Sequence, residues 1–222
     1  MIENRTVKFV FQLILVILVL SFLVLSGIRL LLTDTFVQIE YNLPWFPEDP
    51  YGMTKAQRLE YAPIALEFLL NGAEESFLGD LKFDDGTVLF NQRELDHMVD
   101  VQVLTVAFLR VWYITVVLLA GLLIWAWRGG WWPELKQMLS TAGWIVLAIL
   151  GTLMLLMLLS FDFVFTNFHG IFFEGDSWLF YYSDTLIRLF PIRFWQDAFG
   201  LVGIFTLLGG LALWLGLREK QK

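Results

Sequence analysis

The stretch NQRELDHMVDVQVLTVAFLRVWYITVVLLAGLLIWAW, residues 91–127, decides the fold. Asn91 with Glu94 three residues later is an N-terminal capping pair, and no breaker follows until Arg128-Gly129-Gly130. The spacing predicts one helix from about residue 92 to 127. From residue 101 it is apolar for longer than the ~20 residues needed to cross a hydrocarbon core. Its first two turns are polar and carry His97, one of only two histidines among 222 residues. The chain is therefore expected to hold a proton-transfer group just beyond a membrane span.

Three more runs have the same character: 9–32, 141–161 and 199–217. With 58% hydrophobic residues and a mean hydropathy of +0.67, composition agrees. Arg5 and Lys8 precede the first run as they would in a signal peptide. That run is longer than the roughly 7–15 residues of a secretory apolar segment and lacks a small-residue cleavage site, so a retained helix is expected. The expected fold is an all-α membrane protein, a single polytopic domain over 1–222. Its four transmembrane helices lie at about 9–32, 101–127, 141–161 and 199–217. A long extracytoplasmic loop, 33–100, joins the first two, and a shorter aromatic-rich one, 162–198, joins the last two.

Basic residues set the orientation. Arg5, Lys8, Arg128, Lys136, Arg218, Lys220 and Lys222 fall on one side, against Glu3, Glu134 and Glu219. Both termini are expected in the cytoplasm and both large loops outside. Loop 33–100 holds four basic residues against fourteen acidic ones and carries most of the net charge of −7. Such a surface disfavours nucleic acid and suits a cationic amine, or simply solvates an exterior loop. Without cysteine there is no disulfide, thiolate metal site or lipid-modified cysteine of the chain's own.

Within the first loop, Pro44, Pro47 and Pro50 exclude regular helix. A helix is predicted over 53–71, capped by Thr54 with Gln57 and stopped by Gly72. Its apolar positions are Leu59, Ala62, Ala65, Leu66, Leu69 and Leu70, and Pro63 is an irregularity. Asp84-Asp85-Gly86 signals a small hairpin. Residues 184–197 read as an amphipathic segment. Gly200, Gly203, Gly209, Gly210 and Gly216 suit close helix packing.

Candidate chemistry centres on the histidines, the side chains that exchange protons near neutrality. His97 and Asp100 are three apart on the predicted helix, so the carboxylate is expected to orient the ring. His169 follows Asn167-Phe168, with Asp162 two helical turns earlier. Phe163, Phe165, Phe168, Phe172 and Phe173 surround it as an interface belt or a greasy acyl channel. Arg29 reads as a boundary anchor. Arg110, inside an apolar run, is expected to face the bundle interior and to pair with an acid or a lipid carbonyl. Arg110, Asp184 and Arg188 are the candidate substrate contacts, although Asp184, Arg188, Arg193 and Asp197 also suit surface salt bridges. No nucleotide, redox or zinc-protease motif occurs, and no close ligand spacing for a metal. No cofactor, metal or nucleotide is expected.

The stretches NLPWFP, RELDHMVDV, FTNFHGIFF, SWLF and DTLIRLFPIRFWQD resemble the bacterial lipoprotein intramolecular transacylases, and the likeness spans nearly the whole chain. The resemblance implies an acyltransferase acting on a diacylglyceryl lipoprotein in the membrane. It implies transfer of the sn-2 acyl chain to the α-amino group of the N-terminal cysteine, giving the lyso form. The family's two essential histidines would correspond to His97 and His169. The alternatives are a non-catalytic assembly or accessory protein docking through the acidic loop, and an acyltransferase working between separate lipids.

Overall fold

A computed structural model describes residues 4–218. Glu3, Glu219, Lys220 and Lys222, which entered the charge count, lie outside the described residues. Those described form helices with no strand. Four are long and apolar enough to cross a membrane: α1 (Arg5–Leu31), α5 (Gln92–Arg128), α6 (Trp132–Leu159) and α9 (Ile192–Leu217). The other helices are α2 (Asp34–Glu40), α3 (Lys55–Asn71), α4 (Ser76–Gly79), α7 (Phe161–Phe172) and α8 (Thr185–Leu189). The chain divides into two compact units. Within the described residues, one comprises 4–28, 109–159 and 200–218, and the other 29–108 and 160–199.

The first unit is made of the apolar stretches of the four long helices. Leu15, Val19 and Leu23 of α1 share a buried cluster with Leu135, Leu139, Ala142 and Val146 of α6. Lipid tails are as apolar as leucine, so close packing and polar contacts must hold such helices together. Both are present. A methyl group added to Gly143 would lie 2.6 Å from the Gly210 carbonyl oxygen, so the backbones of α6 and α9 touch there. Ser140 donates to the Trp214 carbonyl at 2.9 Å, and the Trp112 indole to Ser26 at 2.9 Å. The α5–α6 turn is set by Gly130, with φ +72°, and by Trp131 N–H reaching back to the Ala126 carbonyl at 3.1 Å. Helix α6 starts earlier than the apolar run because Pro133 suits a first helical turn, where no N–H is required.

The second unit packs α2, α3, α4, α8 and the first turns of α5 and α9 around one apolar core. Phe36, Tyr61, Phe68, Leu78, Leu89, Leu95, Leu186 and Phe194 are buried in it. Helix α3 begins at its Thr54–Gln57 capping box and ends at left-handed Gly72. Its buried face is Arg58, Tyr61, Ala62, Ala65 and Phe68, while Leu70 is exposed. The expected hairpin is reduced to a turn: Gly86 N–H meets the Phe83 carbonyl at 2.9 Å, with a single bridge from Lys82 to Val88. Residues 184–197 are not one helix. Helix α8 ends at Leu189, and α9 starts at Ile192 after Pro191. Ser160 has extended backbone and caps Phe163 N–H, so α7 is a separate helix rather than a continuation of α6.

Candidate active site

The second unit brings the two histidines together. His97 stands on the second turn of α5 and His169 on the last turn of α7, with ring centroids 6.4 Å apart and planes 24° from parallel. Each residue is only 8% exposed. Aromatic rings close round them: Phe173 lies 4.8 Å from His97 and 5.6 Å from His169, Phe180 5.3 Å from His97. Phe165 and Trp178 lie 4.1 and 4.8 Å from His169.

The hydrogen bonding of the rings differs. His169 Nδ1 is 2.9 Å from the Phe165 carbonyl oxygen, one turn earlier in α7. A carbonyl only accepts, so Nδ1 carries the proton and Nε2 presents a lone pair. Burial depresses the His169 pKa, a shift partly opposed by that hydrogen bond, so the ring is neutral near pH 7. His97 Nδ1 is buried with no hydrogen-bond partner among the described residues.

The expected pairing of His97 with Asp100 is not formed. Three residues advance a helix by 300°, and the 60° shortfall turns Asp100 out of the buried face into exposure. Asp162 is likewise exposed in the first turn of α7. Arg110 does not face an interior: it is exposed, makes no ion pair among the described residues, and belongs to the other unit. Asp184 accepts the Tyr181 N–H at 2.9 Å. Arg188 is committed to Asp49 at 3.0 Å and to the Tyr51 carbonyl at 3.3 Å, so it braces the first loop. Arg29 donates to the Leu32 carbonyl just past the end of α1.

Sequence reasoning missed three features near this centre. Trp178 and Phe180 lie in the SWLF stretch, where nothing local marks them as ring partners. Glu94, expected only as a cap, also accepts the Leu186 N–H at 2.7 Å. Glu40, 1% exposed, lies against Asp197, which pairs with Arg193 at 2.8 Å and accepts the Trp45 indole N–H at 3.2 Å. Burial and the Asp197 carboxylate push the Glu40 pKa up to about 7. A hydrophobic face broken by one acid does not announce such a pair.

These features define a multi-pass, all-helical membrane protein with a buried histidine pair in an aromatic enclosure. The chain matches the family described as lipoprotein intramolecular transacylase Lit over residues 10–195. A protein of Aquifex aeolicus (strain VF5), described only as uncharacterized, is 33% identical over 217 residues, covering 95% of this chain and 96% of that one. The membrane integral lipoprotein intramolecular transacylase Lit from Bacillus cereus has a similar fold. Its TM-score is 0.74 at 19% identity, over 96% of this chain and 94% of that one. A second structure of that protein, with one histidine replaced by alanine, gives 0.64 at 20% identity over 97% and 96%. The chain belongs to the lipoprotein intramolecular transacylase family.

Proposed function

We propose that this chain transfers the sn-2 acyl group of a diacylglyceryl lipoprotein to the α-amino group of the same molecule's N-terminal cysteine, giving the lyso form. The observation that carries this reading is the pair of buried imidazoles 6.4 Å apart within aromatic walls. The amine nitrogen attacks the ester carbonyl carbon, the C–N bond forms, and the bond to the glycerol oxygen breaks. One proton leaves the nitrogen and one arrives on the glycerol oxygen. Ester to amide is downhill, so no external energy source is required. Donor and acceptor share one molecule, and well-oriented intramolecular reactions reach effective molarities of roughly 10⁵–10⁸ M.

An α-amino group has a pKa near 8 and attacks only when neutral. A base within reach contributes about 10²–10⁴-fold. The hydrogen bonding favours His169 as that base, because its Nδ1–H is occupied and its Nε2 lone pair is free. His97 then polarises the ester carbonyl or protonates the departing glycerol oxygen. Asp184 is retained as a candidate substrate contact.

The location that supports this chemistry is the outer leaflet of a bacterial plasma membrane, with both termini cytoplasmic. The distribution of Arg5, Lys8, Arg128, Lys136 and Arg218 supports that orientation. Single His97→Ala and His169→Ala variants are expected to insert normally and to yield no lyso product from a reporter lipoprotein. Mass spectrometry of the reporter reads the result, and lyso product from either variant refutes the role.

A further inference from the structure

Residues 173–184 form a strap between α7 and α8, and both ends are held at the histidine-bearing helices. At its start, Phe173 N–H donates to the carbonyl of His169 itself at 2.8 Å. Just past its end, Leu186 N–H donates to Glu94 Oε1 at 2.7 Å, three residues before His97 on α5. Between these clasps, Phe173, Trp178 and Phe180 pack on the two rings.

We infer that Glu94 is a positioning residue that sets the spacing of the two imidazoles by fastening the strap to the first turn of α5. The carboxylate is 1% exposed, and its hydrogen-bond partners are backbone N–H groups rather than a basic side chain. Oε2 accepts from Asn91 N–H at 2.8 Å, and Asn91 Oδ1 in turn accepts from Glu94 N–H at 3.1 Å. One oxygen therefore completes the cap of the helix that carries His97. The other holds Leu186 in the first turn of α8, into which the segment that covers both rings runs. Two acceptors aimed at two different chain segments are what a carboxylate supplies. An amide has one acceptor oxygen and must leave one segment unheld, and alanine leaves both. Leu95 and Met98, flanking this turn, are buried in the core, so a shift of the turn carries His97 with it.

The inference rests on the histidine pair being the reacting centre, and the test separates the two claims. The chain has two histidines, so full-length protein labelled only at histidine gives two sets of ring signals in lipid nanodiscs. In Glu94→Ala, both sets are expected to shift, the through-space contact between the rings to be lost, and acyl transfer to fall at least tenfold. Glu94→Gln is expected to lie between this and the parent in both readouts. Unchanged ring signals in Glu94→Ala overturn the inference whatever the activity does. If Glu94→Ala does not fold, ring signals in Glu94→Gln identical to the parent overturn it. Shifted ring signals with undiminished acyl transfer uphold the positioning role and overturn the catalytic reading of the histidines.

Discussion

His169 Nδ1 donates to the carbonyl of Phe165 at 2.9 Å, so the ring is aimed by its own helix. The acceptor is backbone, which no substitution at Phe165 removes.

The pH dependence of acyl transfer follows from this ring. Burial holds the His169 pKa below the ordinary 6.5, so the ring gains its proton on the acid side of that value. On the acid side, activity is expected to fall first as the substrate amine protonates near pH 8, and more steeply once His169 also protonates, below pH 6.5. A pH–rate profile in detergent or nanodiscs measures it. A second, steeper fall that sets in above pH 6.5 contradicts the assignment of His169 as base.

Glu40 gives a second, opposite dependence, in stability. Its carboxyl has a folded pKa of about 7 against an unfolded value near 4.5. Between these values the folded state keeps a proton that the unfolded chain has lost, so stability falls as pH rises from about 4.5 to 7 and is flat above. The facing groups are Asp197, which raises the pKa, and Arg193, which lowers it. Glu40→Gln is expected to flatten this slope, which is at most about 3 kcal/mol in total. Thermal unfolding at pH 5 and pH 8, on parent and variant, reads the difference.

Arg188 is expected to act through stability. Its removal strands the Asp49 side chain, which is 1% exposed, as a buried carboxylate without its cation. Breaking such a pair costs about 3–5 kcal/mol. Arg188→Met should lower the unfolding temperature markedly, and Asp49→Asn combined with it should restore part of the loss. Normal stability in Arg188→Met with weakened substrate binding would return Arg188 to the role of substrate contact.

Two glycines separate packing from mere composition. Gly143→Ala forces a methyl group against the Gly210 carbonyl oxygen and is expected to destabilise by roughly 1–3 kcal/mol. Gly200 on α9 has no atom within 4 Å of an added methyl, so Gly200→Ala is expected to be neutral or stabilising by up to about 1 kcal/mol. Unfolding measurements on the two variants side by side check the contrast.

Much of the fold was legible because its signals are local. The Asn91–Glu94 cap, the Thr54–Gln57 box, the Gly72 stop and the uninterrupted run after residue 101 each specify geometry within a few residues. The histidines stood out because there are only two. What was not legible depends on contacts distant in sequence. Helical spacing placed Asp100 on the same broad face as His97, but only tertiary burial shows where that face ends. Arg188 had the chemistry of a substrate contact, yet Asp49, 139 residues away, had already taken it. Glu40 and Asp197 are two acids that local pattern reads as solvated, and folding presses them together.

The break at Ser160 has a consequence for how this protein tolerates change. A helix passes rotational phase along its length, and one added residue turns everything beyond it by 100°. Extended backbone at Ser160 resets that phase, and the hydroxyl cap restarts it for α7. A residue inserted in α6 therefore disturbs the packing of Leu135, Leu139, Ala142 and Gly143, but its 100° turn is not passed on to α7 and His169. His97 has no such buffer between itself and the rest of α5.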